Sequence, residues 1–205
     1  MTNFFMAVII GLIFILTFAG FFLMKDEGRT FKRKQTQEGA AKSFDKMVRA
    51  VSSLYNFETT GKTTLRFGSD EYTFDEILLS EYGTIAVNAV YRNGDVYGAA
   101  NDDEWVCIPS DGQGKKERFE NPVKQQNGCV RFFRDMYKQE KVKSGNADSM
   151  VVFPFGRCII YITPRNTNAF TLANFRTKLG DAKYRADNKA DVSAMKAAIE
   201  KYTVK

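Results

Sequence analysis

Residues 72–98 read YTFDEILLSEYGTIAVNAVYRNGDVYG, and this stretch decides the fold class. Thr84–Tyr91 (TIAVNAVY) is β-branched and apolar in the manner of a strand buried in the middle of a sheet. Tyr72–Leu79 reads as one strand before it, with Glu81-Tyr82-Gly83 as the turn between. After it, Asn93-Gly94 is a hairpin signal, because both residues tolerate the positive φ of a tight turn. Short strands are predicted next at Asp95–Tyr97 and Glu104–Ile108.

Outward from this centre the period changes. Phe44, Met47, Val48, Val51 and Leu54 recur at helical spacing over Ala40–Leu54, and Thr63–Phe67 is strand-like. Asp111–Lys116 is a loop. Asn121-Pro122 then supplies an N-cap and a proline at the first helical position. That predicts a helix with an apolar stripe of Val123, Val130, Phe133 and Tyr137 and a basic surface reaching Lys143. Ser149–Phe155 and Arg157–Thr163 read as strands, and Thr171–Leu179 and Asp191–Tyr202 as helices. Strands interleaved with helices imply a mixed α/β domain over residues 40–205, long enough for a proper core.

At the N-terminal end, Phe4–Met24 is a run of apolar residues without a charge. As a helix rising 1.5 Å per residue it would cover about 30 Å, the thickness of a bilayer's hydrocarbon core. The run is too long for a signal peptide, and Met1-Thr2-Asn3 lacks the basic residue such a peptide starts with. One transmembrane helix at 4–24 is expected, followed by a basic juxtamembrane linker over 25–39. Lys25, Arg29, Lys32, Arg33 and Lys34 all follow the run and none precedes it. The positive-inside rule then places the N-terminus outside and the domain in the cytoplasm. Cys107, Cys129 and Cys158 are odd in number and widely spaced, as expected of free thiols in a reducing compartment.

The formal charge of +6 suits a polyanion or an acidic lipid surface without choosing between them. The absence of histidine is more selective. It excludes Ser-His-Asp and Cys-His catalysis and HExxH zinc sites, leaving carboxylates, lysines or an oxygen-bound metal for any chemistry. Gly61-Lys62-Thr63-Thr64 imitates the end of a phosphate-binding loop. Asn56 stands where that loop needs its first glycine, and a helical pattern precedes it where a strand should. A polar turn between helix and strand is the expectation there.

Four pieces in order carry a resemblance to the nuclease-related domain (NERD) family: Phe74–Gly83, Thr84–Tyr91, Gly94-Asp95-Val96-Tyr97-Gly98 with Trp105 after it, and Asn121-Pro122-Val123-Lys124-Gln125. Val151-Val152-Phe153 follows where a further strand belongs. The resemblance implies a restriction-endonuclease-like mixed sheet flanked by helices, here preceded by the transmembrane helix. It also implies a site built from an Asp, a Glu on the next strand and a Lys two residues beyond it. On strands of period two those last side chains share a face, where they could hold Mg²⁺ and orient water.

Residue by residue, the resemblance puts Asp75 at the first acid and metal-ligand position. It puts Asn88 at the Glu, Val90 at the Lys and Gln125 at a polar position near the site. Asn88 can offer a carbonyl oxygen, whereas Val90 can neither bind nor activate anything. Glu76 points to the opposite strand face from Asp75. Arg92 is the substitute cation if the strand stays regular that far. A degenerate site is therefore expected, with Mg²⁺ as the cofactor only if cleavage survives. The expected partners are the bilayer, DNA or RNA through Lys124, Arg131, Arg134 and Lys138, or another protein. An active nuclease with rearranged residues and a membrane-surface scaffold are the alternatives.

Overall fold

The computed structural model describes residues 35–109, 114–164 and 167–204. The expected transmembrane span at 4–24 and linker residues 25–34 lie outside them, as do 111–113 of the expected loop. Among the described residues no helix is long and apolar enough to cross a membrane.

Residues from Thr36 onward form one compact unit. Its elements are α1 (Gln37–Tyr55), β1 (Glu58–Thr59), β2 (Thr63–Phe67), β3 (Asp70–Phe74), β4 (Glu76–Ser80), β5 (Gly83–Ala89), β6 (Gly94–Ala99), β7 (Glu104–Pro109), β8 (Glu117–Glu120), α2 (Pro122–Gln125), α3 (Cys129–Gln139), β9 (Asn146–Phe153), β10 (Ile160–Thr163), β11 (Ala169–Thr171), α4 (Leu172–Leu179), a 3₁₀ turn (Ala182–Arg185) and α5 (Val192–Tyr202). Helix α1 starts where the Thr36 hydroxyl accepts from the Gly39 N–H, so 37–39 belong to the helix rather than to a linker.

A five-stranded mixed sheet in the order β1-β4-β5-β9-β11 is the frame. Strand β5 lies antiparallel to β4 and parallel to β9, in the middle of the sheet, as its apolar sequence predicts. Helices cover both faces. Phe44, Val48 and Val51 of α1 and Phe175 and Leu179 of α4 pack against Leu78, Ile85, Val87, Met150 and Val152. On the opposite face Phe133, Met136 and Tyr137 of α3 and Met195 and Ile199 of α5 pack against Ile77, Leu79 and Ala86. Strands covered on both faces are mostly apolar, as Ile77–Leu79 and Ile85–Val87 are, with Glu76 and Thr84 as the buried polar exceptions. A second sheet, β10-β6-β7-β8, closes a third apolar cluster around Trp105, Phe153 and Cys158.

Three expectations are corrected. Tyr72–Leu79 is two strands: β3 pairs with β2, β4 pairs with β5, and Asp75 sits at the break. Asn93-Gly94 is no hairpin turn. Strand β5 already has neighbours on both sides, so the chain leaves the sheet there and β6 pairs with β7 and β10 in the other. The helix expected from Asn121 to Lys143 is broken into α2 and α3 by Gly128 at φ +109°. A side chain there would meet the Tyr72 hydroxyl at 2.6 Å. Strand β8 was not anticipated.

The family-like glycines and Trp105 have packing roles. The Trp105 indole is fully buried, donates to the Ala99 carbonyl at 2.8 Å and lies so close to Gly98 that an added Cβ would meet its ring at 2.2 Å. All three cysteines are free and buried, and burial raises the Cys129 thiol to about 11 and the Cys158 thiol to about 12.

Candidate functional site

Asp75 stands at the kink between β3 and β4. Its N–H donates to the Val87 carbonyl at 3.1 Å. Its Oδ2 accepts the Ala89 N–H at 2.9 Å. The side chain thus closes the end of the β4–β5 ladder and remains one-quarter exposed, 25 %. Its Oδ1 faces the Lys62 ammonium at 3.7 Å.

Lys62 is placed there by its neighbour's neighbour. Glu76 is buried, and its Oε1 accepts three N–H groups: Gly61 at 2.7 Å, Thr60 at 2.9 Å and Ile77 at 3.0 Å. Two of them belong to the turn before β2, where Gly61 takes φ +73°. The carboxylate next to Asp75 therefore locks the turn that presents Lys62 to Asp75. Burial raises the Glu76 pKa, against the lowering effect of those N–H bonds. A raised folded-state value means that Glu76's contribution to stability is complete below its ordinary 4.5 and shrinks as pH climbs through the raised value. Glu76→Gln keeps an accepting oxygen and removes the titration. Its stability deficit relative to wild type is expected to narrow between pH 4 and pH 7, as read from urea midpoints at each pH. A deficit that widens over that range contradicts the assignment.

Glu38, Asp45, Lys62, Asp75, Glu76 and Tyr91 line a cleft of about 460 Å³. Glu38 pairs with Lys42 one turn further along α1. Burial and the nearby Asp75 and Asp45 carboxylates push the Tyr91 hydroxyl pKa up. A larger groove of about 710 Å³ runs along β10, β11 and α4, but its lining gathers no set of carboxylates. The chemistry-bearing groups are at Asp75.

The other expected site residues do not converge there. The Asn88 amide donates to the Thr73 carbonyl at 3.0 Å, while its Oδ1 is buried without a partner among the described residues. Val90 packs against the third apolar cluster. Gln125 is exposed and donates to Glu120 at 2.5 Å. Its neighbour Gln126 is the buried one, 5 % exposed, and neither amide atom has a partner among the described residues. Arg92, the expected substitute cation, pairs with Glu117 at 3.3 Å and lies over the Phe119 ring. Beyond Ala89 the regular strand ends, so period-two reasoning fails at that point.

The basic residues divide as well. Lys124 sits on α2 and is neutralised by Asp103 at 2.5 Å. Arg131, Arg134 and Lys138 sit on α3 at spacings of three and four, which share one face. Arg131 pairs with Asp135 at 3.4 Å, and Arg134 and Lys138 have no acidic partner among the described residues.

Compared with known families, the chain matches the model of the nuclease-related domain over residues 35–154, more than half its length. The chain belongs to the nuclease-related domain family. No curated protein and no solved structure matches it significantly. The NERD match starts one residue before the Thr36 cap of α1 and ends one residue after β9. It takes in α1, the Lys62 turn, Asp75, β5 and both α2 and α3, so the cleft belongs wholly to the NERD portion.

The residues present do not fit a divalent metal. Among the described residues no group of three or more His, Cys, Asp or Glu could hold an ion. Asp75 already shares its two oxygens between an N–H and an ammonium, and the Asn88 Oδ1 is buried. Magnesium wants near-octahedral oxygen ligation with at least one or two free carboxylates. Lys62 was legible only as part of a phosphate-loop lookalike, and no local signal tied it to Asp75.

Proposed function

We propose that this NERD protein is a binding module with a degenerate nuclease site, tethered to a membrane through residues 4–24 with its domain on the cytoplasmic side. The observation that carries the reading is the surroundings of Asp75. The second acid and the lysine of the family site are replaced by Asn88 and Val90, and the carboxylate is engaged by the Ala89 N–H and Lys62. One carboxylate so engaged supplies neither the metal clamp nor the activated water that phosphodiester hydrolysis needs. The uncharged run at 4–24 and the one-sided basic flank support the tether and its orientation. The restriction-endonuclease-like topology is part of this proposal, supported by the helix-covered mixed sheet.

Nucleic acid is the partner that the α3 surface favours. Arg134 and Lys138 share one helix face and form no ion pair among the described residues, which leaves them open to phosphate. The test uses the full chain in nonionic detergent with single- and double-stranded DNA and RNA, with Mg²⁺ or Mn²⁺ present. Wild type and Asp75→Ala are expected to show the same background cleavage. Binding should weaken steeply with salt, and Arg134→Ala with Lys138→Ala should lower affinity roughly tenfold and reduce the salt slope by about two. Cleavage that vanishes with Asp75 refutes the degenerate site. Absence of salt-dependent binding refutes the nucleic-acid partner.

A further inference from the structure

We propose that Lys62 stands in for the divalent cation at Asp75, so that the site carries its own counter-ion. The inference rests on the reading of the site as one without metal chemistry and gives that reading a physical cause. The Lys62 ammonium is 3.7 Å from the Asp75 Oδ1, on the side of the carboxylate that the Ala89 N–H leaves open. Among the described residues it is the basic side chain lining a cleft whose other charged walls are Glu38, Asp45, Asp75 and Glu76.

The backbone beneath it is fixed rather than incidental. Gly61 and Thr60 both donate to the buried Glu76 carboxylate, and the Thr63 hydroxyl donates to the Gly61 carbonyl at 3.0 Å. Lys62 itself is 73 % exposed, so the ion pair adds little to stability. Its effect is local. A charge of +1 held this close repels an arriving dication and competes for the same oxygen. In the usual nuclease arrangement the lysine and the metal share the site. Here Lys62 reaches Asp75 directly and disfavours a dication at the same oxygen.

The experiment titrates Mn²⁺ into the full chain in detergent micelles and follows free Mn²⁺ by electron paramagnetic resonance. Wild type, Lys62→Arg, Lys62→Gln, Asp75→Asn and the double variant Lys62→Gln/Asp75→Asn are compared. Lys62→Gln is expected to bind Mn²⁺ about threefold more tightly than wild type, the gain being bounded by what an exposed ion pair is worth. Lys62→Arg should match wild type, because the charge is kept, and the double variant should lose the gain. Unchanged thermal melts of the Lys62 variants keep the comparison valid, since this side chain is mostly solvated. The proposal is overturned if Lys62→Gln binds no more tightly than wild type, or if Lys62→Arg gains as much as Lys62→Gln does. The non-catalytic reading is judged separately by the cleavage assay, so either idea can fail without the other.

Discussion

Gly83→Ala is expected to leave little folded protein. Gly83 opens β5 at φ +133°, a region that side-chain-bearing residues avoid. An added Cβ would meet the Asn146 carbonyl oxygen at 1.9 Å, the Asn146 nitrogen at 2.7 Å and the Ser144 carbonyl oxygen at 2.7 Å. All three are backbone atoms at or just before the start of β9, so no side chain can turn aside. The clash falls where Gly83 pairs with Asn146, the first register position of the parallel β5–β9 ladder. Relieving it means separating the two central strands. A loss of more than about 4 kcal/mol is expected, a large part of a domain's total of about 5–15 kcal/mol. Gly68→Ala is the control. It has φ +62° but nothing within 4 Å, so it should cost only about 1–2 kcal/mol. Circular dichroism melts of the two variants decide the matter: equal, small losses would contradict the register.

Asn121→Asp is expected to have the second-largest effect. Asn121 is 1 % exposed and uses its whole amide. Its Oδ1 accepts from Val123 N–H at 3.0 Å and Lys124 N–H at 3.2 Å, capping α2. Its Nδ2 donates to the carbonyls of Asp102 at 2.8 Å, Ala100 at 3.0 Å and Ala99 at 3.4 Å. Aspartate keeps the cap and replaces the donor with an oxygen facing three carbonyl oxygens. The charge is then buried against like partial charges, at an expected cost of about 3–5 kcal/mol. Asn121→Ala loses the cap and takes the amide donor from the Ala100 and Asp102 carbonyls, while Ala99 keeps the Trp105 indole, for about 2–4 kcal/mol. Urea denaturation should therefore rank Ala above Asp at pH 7. The gap should shrink as pH falls, because the protonated acid donates again while its ordinary carboxylate range is approached from above. The reverse ranking at pH 7 would show that the cap, and not the donor set, is what matters.

These two residues explain why part of the family pattern is structural. Asn121-Pro122 ties the start of α2 to the turn after β6. Gly98 makes room for the Trp105 indole. None of them touches the cleft around Asp75. The glycine, tryptophan and Asn-Pro signals that carry the resemblance thus report packing more than chemistry.

The two central strands, the flanking helices and the Asn121 cap were legible because each is written in a local period or a local cap. The apolar run of β5, the stripe of α5 and the proline after Asn121 need no knowledge of distant residues. The errors share one cause. Tyr72–Leu79 looks continuous because both of its strands are apolar enough, and only the exchange of partners at Asp75 divides it. Asn93-Gly94 has hairpin chemistry, but β5 has no free edge for a hairpin to use.

By itself the sequence determined the mixed α/β class, the family and the uncharged N-terminal run, and it placed Asn88 and Val90 where the resemblance expects an acid and a lysine. Tertiary structure alone decided what faces Asp75. Lys62 lies thirteen positions earlier, on a turn whose own pattern points to nothing. It reaches the site because a buried glutamate gathers that turn's N–H groups beside β4. Strand and helix signals are carried by neighbours in sequence, whereas an ion pair across a fold depends on where the folded backbone sets down two distant side chains.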